Sequence, residues 1–316
     1  MLRWRGLDAV PGDLGRTVVT IGMYDGVHRG HQKLIGAAVE RARALGRPCL
    51  LVTFDPHPAE VVRPGSHPAI LTSLDRKAEL VEALGVDAMC VLPFTQDLMR
   101  QSPESFTHTV LASTLHASHV VVGENFTYGH RAAGTVATLA AEGRRFGFSV
   151  DGVGLASVAE DELTISSTYV RACVAAGDMT SATEALGRPH RVDGVVVRGH
   201  RRGRQMGYPT ANVESPPYTA VPADGVYAGH FVLRDVEGAS GARFPAAISV
   251  GTNPTFDGTR RTVEAHLIDW DGDLYGEHAG VEFTARLRGM LRFSGMDELI
   301  AAMDDDLVEA RRVLGM

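Results

Sequence analysis

A chain of 316 residues with 44% hydrophobic content carries enough apolar material for two cores, since a typical domain holds roughly 100–200 residues. Its formal charge of −7, from 38 acidic and 31 basic residues, argues against a broad nucleic-acid face but leaves room for a local nucleotide pocket. Cys49, Cys90 and Cys173 are far apart and form no CxxC pair, so neither a disulfide framework nor a cysteine zinc site is expected, and a reducing, cytoplasmic setting fits. The first fifteen residues lack an apolar signal core and no run approaches ~18 apolar residues, so no signal peptide, membrane span or membrane partner is expected.

Up to about residue 187, short apolar runs alternate with helical ones. Thr17–Gly22 is β-branched and reads as a strand. Leu34, Ile35, Ala38, Val39, Ala42 and Leu45 give Gly30–Leu45 one apolar helical face, stopped by Gly46 and Pro48. Cys49–Phe54, Val86–Leu92, His119–Val122 and Phe148–Leu155 read as further strands. Helices are expected over Leu74–Leu84, from Ser102-Pro103 to about His116, over Gly134–Phe146, Ser167–Ala176 and Thr180–Leu186. Strands alternating with helices predict an α/β domain, a doubly wound parallel sheet of five strands over residues 1–187. From 188 to 316 the texture changes. Arg191–Arg198, Val226–Arg234, Ala246–Val250, Val263–Ile268 and Val281–Leu287 are short strand-like runs between Gly, Pro and Asp, which predict a small antiparallel β-barrel. A terminal amphipathic helix is expected over Met296–Leu314.

The sharpest local feature is the ten-residue run Gly22 to His31, directly after the first strand and opening the first helix. Ligands of open parallel sheets bind beyond the carboxyl ends of the strands, and a helix N-terminus there offers N–H groups to phosphate. His28 and His31, three apart, can share one face, and Gly30 lets a phosphate approach the backbone. Such a site suits nucleotidyl transfer, in which positioning and charge stabilisation replace a protein nucleophile. The same residues also read as polar caps. Ser167, Thr168 and Arg171 open a later helix with two hydroxyls and a guanidinium, an ordinary cap or a grip on the β/γ-phosphates.

In the second half, Gly199, Gly203 and Gly207 recur every four residues in a basic stretch. It fits a loop closing over phosphates and equally a solvated basic turn. Pro209-Thr210-Ala211-Asn212 follows. Thr262, Glu264 and His266 alternate with Val263, Ala265 and Leu267, so periodicity alone puts Glu264 on a solvent face.

These motifs resemble the prokaryotic bifunctional riboflavin kinase/FMN adenylyltransferase (FAD synthetase) family over nearly the whole chain. The resemblance rests on Gly22 to His31, Thr53 to Pro58, Gly123 to Gly129, Pro209 to Asn212, Gly251 to Phe256 and Val263 to Leu267; Tyr24 stands where the pattern more often has Phe. It implies that Gly22, Asp25 and Gly30 join the histidines and the Ser167–Arg171 segment at ATP, and that Asn125, Phe126 and Tyr128 border FMN. It further implies that Thr210 and Asn212 ligate Mg²⁺ and that Glu264 takes a proton from riboflavin. Arg288, Arg292 and Phe293 are expected to flank the flavin. The implied small-molecule partners are riboflavin, FMN and ATP, with FAD as product and no nucleic acid; a homo-oligomer remains open. Two other readings stay in view, adenylylation or cytidylylation of another small phosphate ester and a flavin-binding regulator without turnover.

Overall fold

In the computed structural model, which describes residues 1–65, 67–154, 157–158, 163–199, 207–233, 241–255 and 258–316, the first half follows the apolar pattern closely. In chain order it contains β1 (Leu2–Arg5), β2 (Thr17–Ile21), α1 (Arg29–Leu45), β3 (Cys49–Asp55), α2 (Pro58–Val62), α3 (Leu74–Ala83), β4 (Ala88–Pro93) and α4 (Gln96–Arg100). Next come α5 (Pro103–Phe106), which runs on as a π-helical segment over Thr107–Thr114, then β5 (Ala117–Gly123), β6 (Thr127–Tyr128), β7 (Gly134–Thr135), α6 (Val136–Phe146) and β8 (Ser149–Val153). The short pair β9 (Ser157–Val158) and β10 (Leu163–Thr164) precedes α7 (Ser167–Ala176) and α8 (Met179–Leu186).

The sheet has six strands in the order β1-β4-β3-β2-β5-β8, all neighbours parallel. The extra strand relative to the expected five is β1, four residues at the edge with only Trp4 buried, too short and too charged to announce itself. All five residues of β2 are buried, as a strand covered on both faces requires. On one face α1 buries Ile35, Ala38, Val39 and Ala42, an i, i+3, i+4, i+7 stripe. On the other, Phe106, Val110, Leu111, Leu115 and Leu139 pack on Val19, Ile21 and Val120. The chain moves from β2 to β3 and β4 on one side and then to β5 on the other. The carboxyl ends of β2 and β5 therefore flank the point where strand order reverses, the usual ligand crevice of such sheets.

The second half contains β11 (His190–Val197), β12 (Ala211–Glu214), β13 (Gly225–Leu233), β14 (Arg243–Thr255), β15 (Gly258–Leu267), β16 (His278–Arg288) and α9 (Met296–Leu314). The strands close into a barrel in the order β11-β12-β15-β14-β13-β16, with antiparallel neighbours. Closure removes exposed strand edges. β12 was not expected from the sequence, because its four residues begin inside the Pro-Thr-Ala-Asn motif, which resembles a loop.

The chain packs as two units, 1–68 with 73–166 and 69–72 with 167–316. The sequence suggests that α7 and α8 close the first domain, yet their packing partners lie in the second unit. Residues Met179, Ala182, Ala185 and Leu186 are buried there, and a Cβ at Gly177, which sits at φ +77°, would come 2.7 Å from the Tyr227 hydroxyl.

Candidate active site

The turn leaving β2 is built from unusual backbone. Tyr24, Gly26 and Val27 adopt φ of 48°, 85° and 40°, a region that a β-branched residue such as Val27 rarely enters. Strain of this kind persists only where the surroundings over-determine it, and it clusters at functional sites. Here Tyr24 is 1% exposed and its hydroxyl lies 2.6 Å from Thr20 Oγ1, while burial pushes the phenol well above its ordinary pKa. Gly22 leaves room for that ring, since a Cβ there would meet Tyr24 Cζ at 3.0 Å.

α1 starts where the turn ends. His28 is its N-cap and its Nδ1 accepts the His31 backbone N–H at 3.3 Å. The two imidazoles stack with centroids 3.6 Å apart at 20°, so the pair presents one face beside the first-turn N–H groups. A Cβ on Gly30 would stand 3.1 Å from the His28 ring and 3.5 Å from the Ile165 carbonyl, so this glycine admits both neighbours. Asp25, within the turn, is 5% exposed. Two groups hold Met23 from below: Thr53 Oγ1 donates to its carbonyl at 3.1 Å, and Lys77 Nζ donates to it at 2.7 Å.

The loop after β5 stands at the carboxyl end of the strand next to β2. Asn125 is exposed, with its Oδ1 3.2 Å from where a Gly123 Cβ would be. Phe126 is half-buried and stacks on Tyr128 at 5.5 Å and 12°. Tyr128 itself is 8% exposed, belongs to the core against Phe106, and lies 3.1 Å from the Thr107 hydroxyl. Of the three residues expected at the flavin, Asn125 and Phe126 thus offer accessible surface and Tyr128 backs Phe126. Ser167 and Thr168 open α7 in the second unit, and Arg171 Nε donates to the Ala69 carbonyl at 2.6 Å.

In the barrel, register makes the site. Asn212 stands opposite Glu264 in the β12–β15 ladder, and Thr210 Oγ1 lies 3.4 Å from Glu264 Oε2. Gly199 touches this group, because a Cβ there would fall 2.5 Å from Asn212 Nδ2. His266 Nδ1–H donates to the Pro209 carbonyl at 2.8 Å and fixes the chain just before Thr210. Gly207 adopts a left-handed φ of 90°, and Gly203 lies outside the described residues.

Two cavities meet at Thr210. One, of about 260 Å³, is lined by Glu264 and by apolar side chains including Ile248, Leu291, Leu299 and Leu307. The other, of about 350 Å³, is lined by Gly199, Asn212, Trp270, Asp273 and Tyr275. Arg288 and Phe293 line the first cavity, and Arg288 forks onto Asp306 of α9 with two 2.7 Å bonds. Arg292 is exposed and does not line it. The wall supplied by α9 and the aromatic pair Trp270 and Tyr275 are not expected from the sequence. The pair was legible only as two aromatics in an Asp-rich turn, Asp269 to Gly276. Equally unannounced is the 2.6 Å bond from the Tyr208 hydroxyl to Asp304, which ties the approach to Thr210 to α9.

A helix N-terminus at the switch point of a parallel sheet, followed by a closed barrel with adjoining apolar and polar cavities, defines a two-site protein for phosphorylated ligands. Comparison with known proteins narrows the class. The FAD synthetase family model matches residues 11–169 and the riboflavin kinase family model residues 186–314. A bifunctional riboflavin kinase/FMN adenylyltransferase of Pseudomonas fluorescens is 38% identical over 308 residues, 97% of this chain and 96% of its own. Its namesake in Listeria monocytogenes is 36% identical over 298 residues, covering 93% and 91%, and that of Escherichia coli is 33% identical over 299, covering 95% and 93%. A solved chain from Streptococcus pneumoniae, described as a macrolide-efflux protein, is 28% identical and superposes with a TM-score of 0.86 over 98% of this chain and 99% of its own. No helix among the described residues is long and apolar enough to cross a membrane. The chain belongs to the bifunctional riboflavin kinase/FMN adenylyltransferase family, with an FAD synthetase half followed by a riboflavin kinase half.

Proposed function

We propose that the chain makes FMN in the barrel and FAD on the parallel sheet, with ATP as co-substrate for both, and that the functional division falls near residue 187. The observation that carries the kinase assignment is the contact of Thr210 with Glu264 on the wall of the apolar cavity, beside the polar cavity that Thr210 shares. An isoalloxazine ring suits the apolar cavity and a nucleotide the polar one. Glu264 takes the proton from the terminal ribityl hydroxyl as that oxygen attacks the γ-phosphorus, and ADP leaves. The Thr210 hydroxyl and Asn212 amide oxygen are hard neutral donors, which fit Mg²⁺ carried largely by phosphate oxygens. When bound, the ion neutralises charge on the β- and γ-phosphates.

On the sheet, a phosphate oxygen of FMN attacks the α-phosphorus of ATP and pyrophosphate leaves. The stacked His28 and His31 and the first N–H groups of α1 stabilise the charge that accumulates. Gly22, Asp25 and Gly30 shape the turn, Ser167, Thr168 and Arg171 serve the leaving phosphates, and Asn125 and Phe126 border the flavin, with Tyr128 behind. Three buried free cysteines support a reducing, cytoplasmic setting, and the partners are small molecules. Incubation of the purified chain with riboflavin, ATP and Mg²⁺, sampled by chromatography, should show FMN first and FAD after it. Absence of both FMN and FAD in that series overturns the kinase assignment.

A further inference from the structure

Lys77 is a buried lysine, 4% exposed, on the inner face of α3. Its ammonium donates to the Met23 carbonyl at 2.7 Å and lies 3.3 Å from Thr53 Oγ1, which itself donates to Met23. Met23 is the first step of the turn whose Tyr24 and Val27 hold positive φ and whose end caps α1 through His28. A buried charge is costly unless it is compensated. Compensation here comes from this carbonyl and hydroxyl and from two carboxylates that face the ammonium, Asp25 of the turn and Asp55 of β3. Asp55 is shared with Arg5 of β1 at 2.8 Å. Burial pulls the Lys77 pKa down to about 8, with Asp25 and Asp55 opposing the fall.

The ammonium is held out of water against the underside of the strained turn, and its shortest contact is to backbone of that turn. We propose that Lys77 is a positioning residue for adenylyl transfer: through Met23 it locks the Gly22–His28 turn in the geometry that aims the His28/His31 pair and the α1 N-terminus at the nucleotide. Thr53 is the second strut of the same lock. The inference rests on the adenylyltransferase reading above and adds to it a residue three elements away in the chain, one that touches no substrate.

The full-length chain carries its own control, the riboflavin kinase reaction. Lys77→Met keeps the length and apolar character of the stem and removes the ammonium. It should lower kcat for FAD formation from FMN and ATP about 10²-fold, with KM values within about threefold, because misaimed groups weaken the transition state more than the ground state. Riboflavin phosphorylation should stay near wild type, as should the melting temperature at pH 7, whereas a merely structural lysine would lower that temperature and spoil KM along with kcat for FAD formation. Thr53→Val should give a smaller loss of the same kind, about tenfold, and it carries the test if Lys77→Met does not fold. Full FAD formation by Thr53→Val and by any folded Lys77→Met overturns the role, as does parallel loss of both activities. A wild-type chain that makes FMN but no FAD overturns the adenylyltransferase reading itself, and the role of Lys77 with it.

Discussion

The two sites are assembled by opposite means. On the sheet, His28, Gly30 and His31 are neighbours in sequence, and the fold only has to place one turn at the carboxyl end of β2 and pin it from below. In the barrel, Thr210 and Glu264 are 54 residues apart and meet only because β12 and β15 pair in one register. A slip of one residue would turn Glu264 to the opposite face of the sheet. The first site should therefore be sensitive to groups supporting one turn, and the second to anything that shifts strand pairing or the α9 wall.

The sharpest way to break the comparison is to remove one chemical group from each site. His28→Ala should lower FAD formation about 10³-fold, the scale of lost charge stabilisation, and leave riboflavin phosphorylation intact. Glu264→Gln should lower FMN formation about 10²- to 10⁴-fold, the share of a general base, and spare FMN-to-FAD conversion. Separate assays with riboflavin and with FMN read both. A smaller effect probes position in the barrel: Gly199→Ala puts a methyl 2.5 Å from Asn212 Nδ2, displacing that side chain, and should lower kinase kcat about 10²-fold without touching adenylylation. The α9 wall is tested by Asp306→Asn, which weakens the Arg288 fork and should destabilise the barrel unit by about 2 kcal/mol in a denaturant titration.

A further effect is a pH dependence of stability. Lys77 titrates at about 8 in the fold, below the ordinary lysine value of 10.5. Between those values the unfolded chain binds more protons, so this group makes stability rise with pH across that window. Lys77→Met should flatten that part of the melting profile.

Much of this was legible beforehand, for local reasons. The β-branched run of β2, the apolar stripe of α1 and the Gly22–His31 motif are all short-range patterns, so strand, helix and histidine pair could be read together. α9 was legible over Met296–Leu314 from its periodicity. Glu264 was legible only through family resemblance, because alternation along β15 assigns a face but not what lies across the sheet. β12 hid because four residues carry no periodicity, and Lys77 hid because a lysine in an amphipathic helix normally faces water. The aromatic wall at Trp270 and Tyr275 depends on loop placement that no spacing encodes.

If one chain holds two independent centres, two variants each lacking one of them should complement in trans. Riboflavin, ATP and Mg²⁺ are given to His28→Ala alone, to Glu264→Gln alone, and to an equal mixture. FMN should accumulate with the first, neither product should form with the second, and the mixture should make FAD. A mixture as unable to make FAD as its two components would contradict that independence.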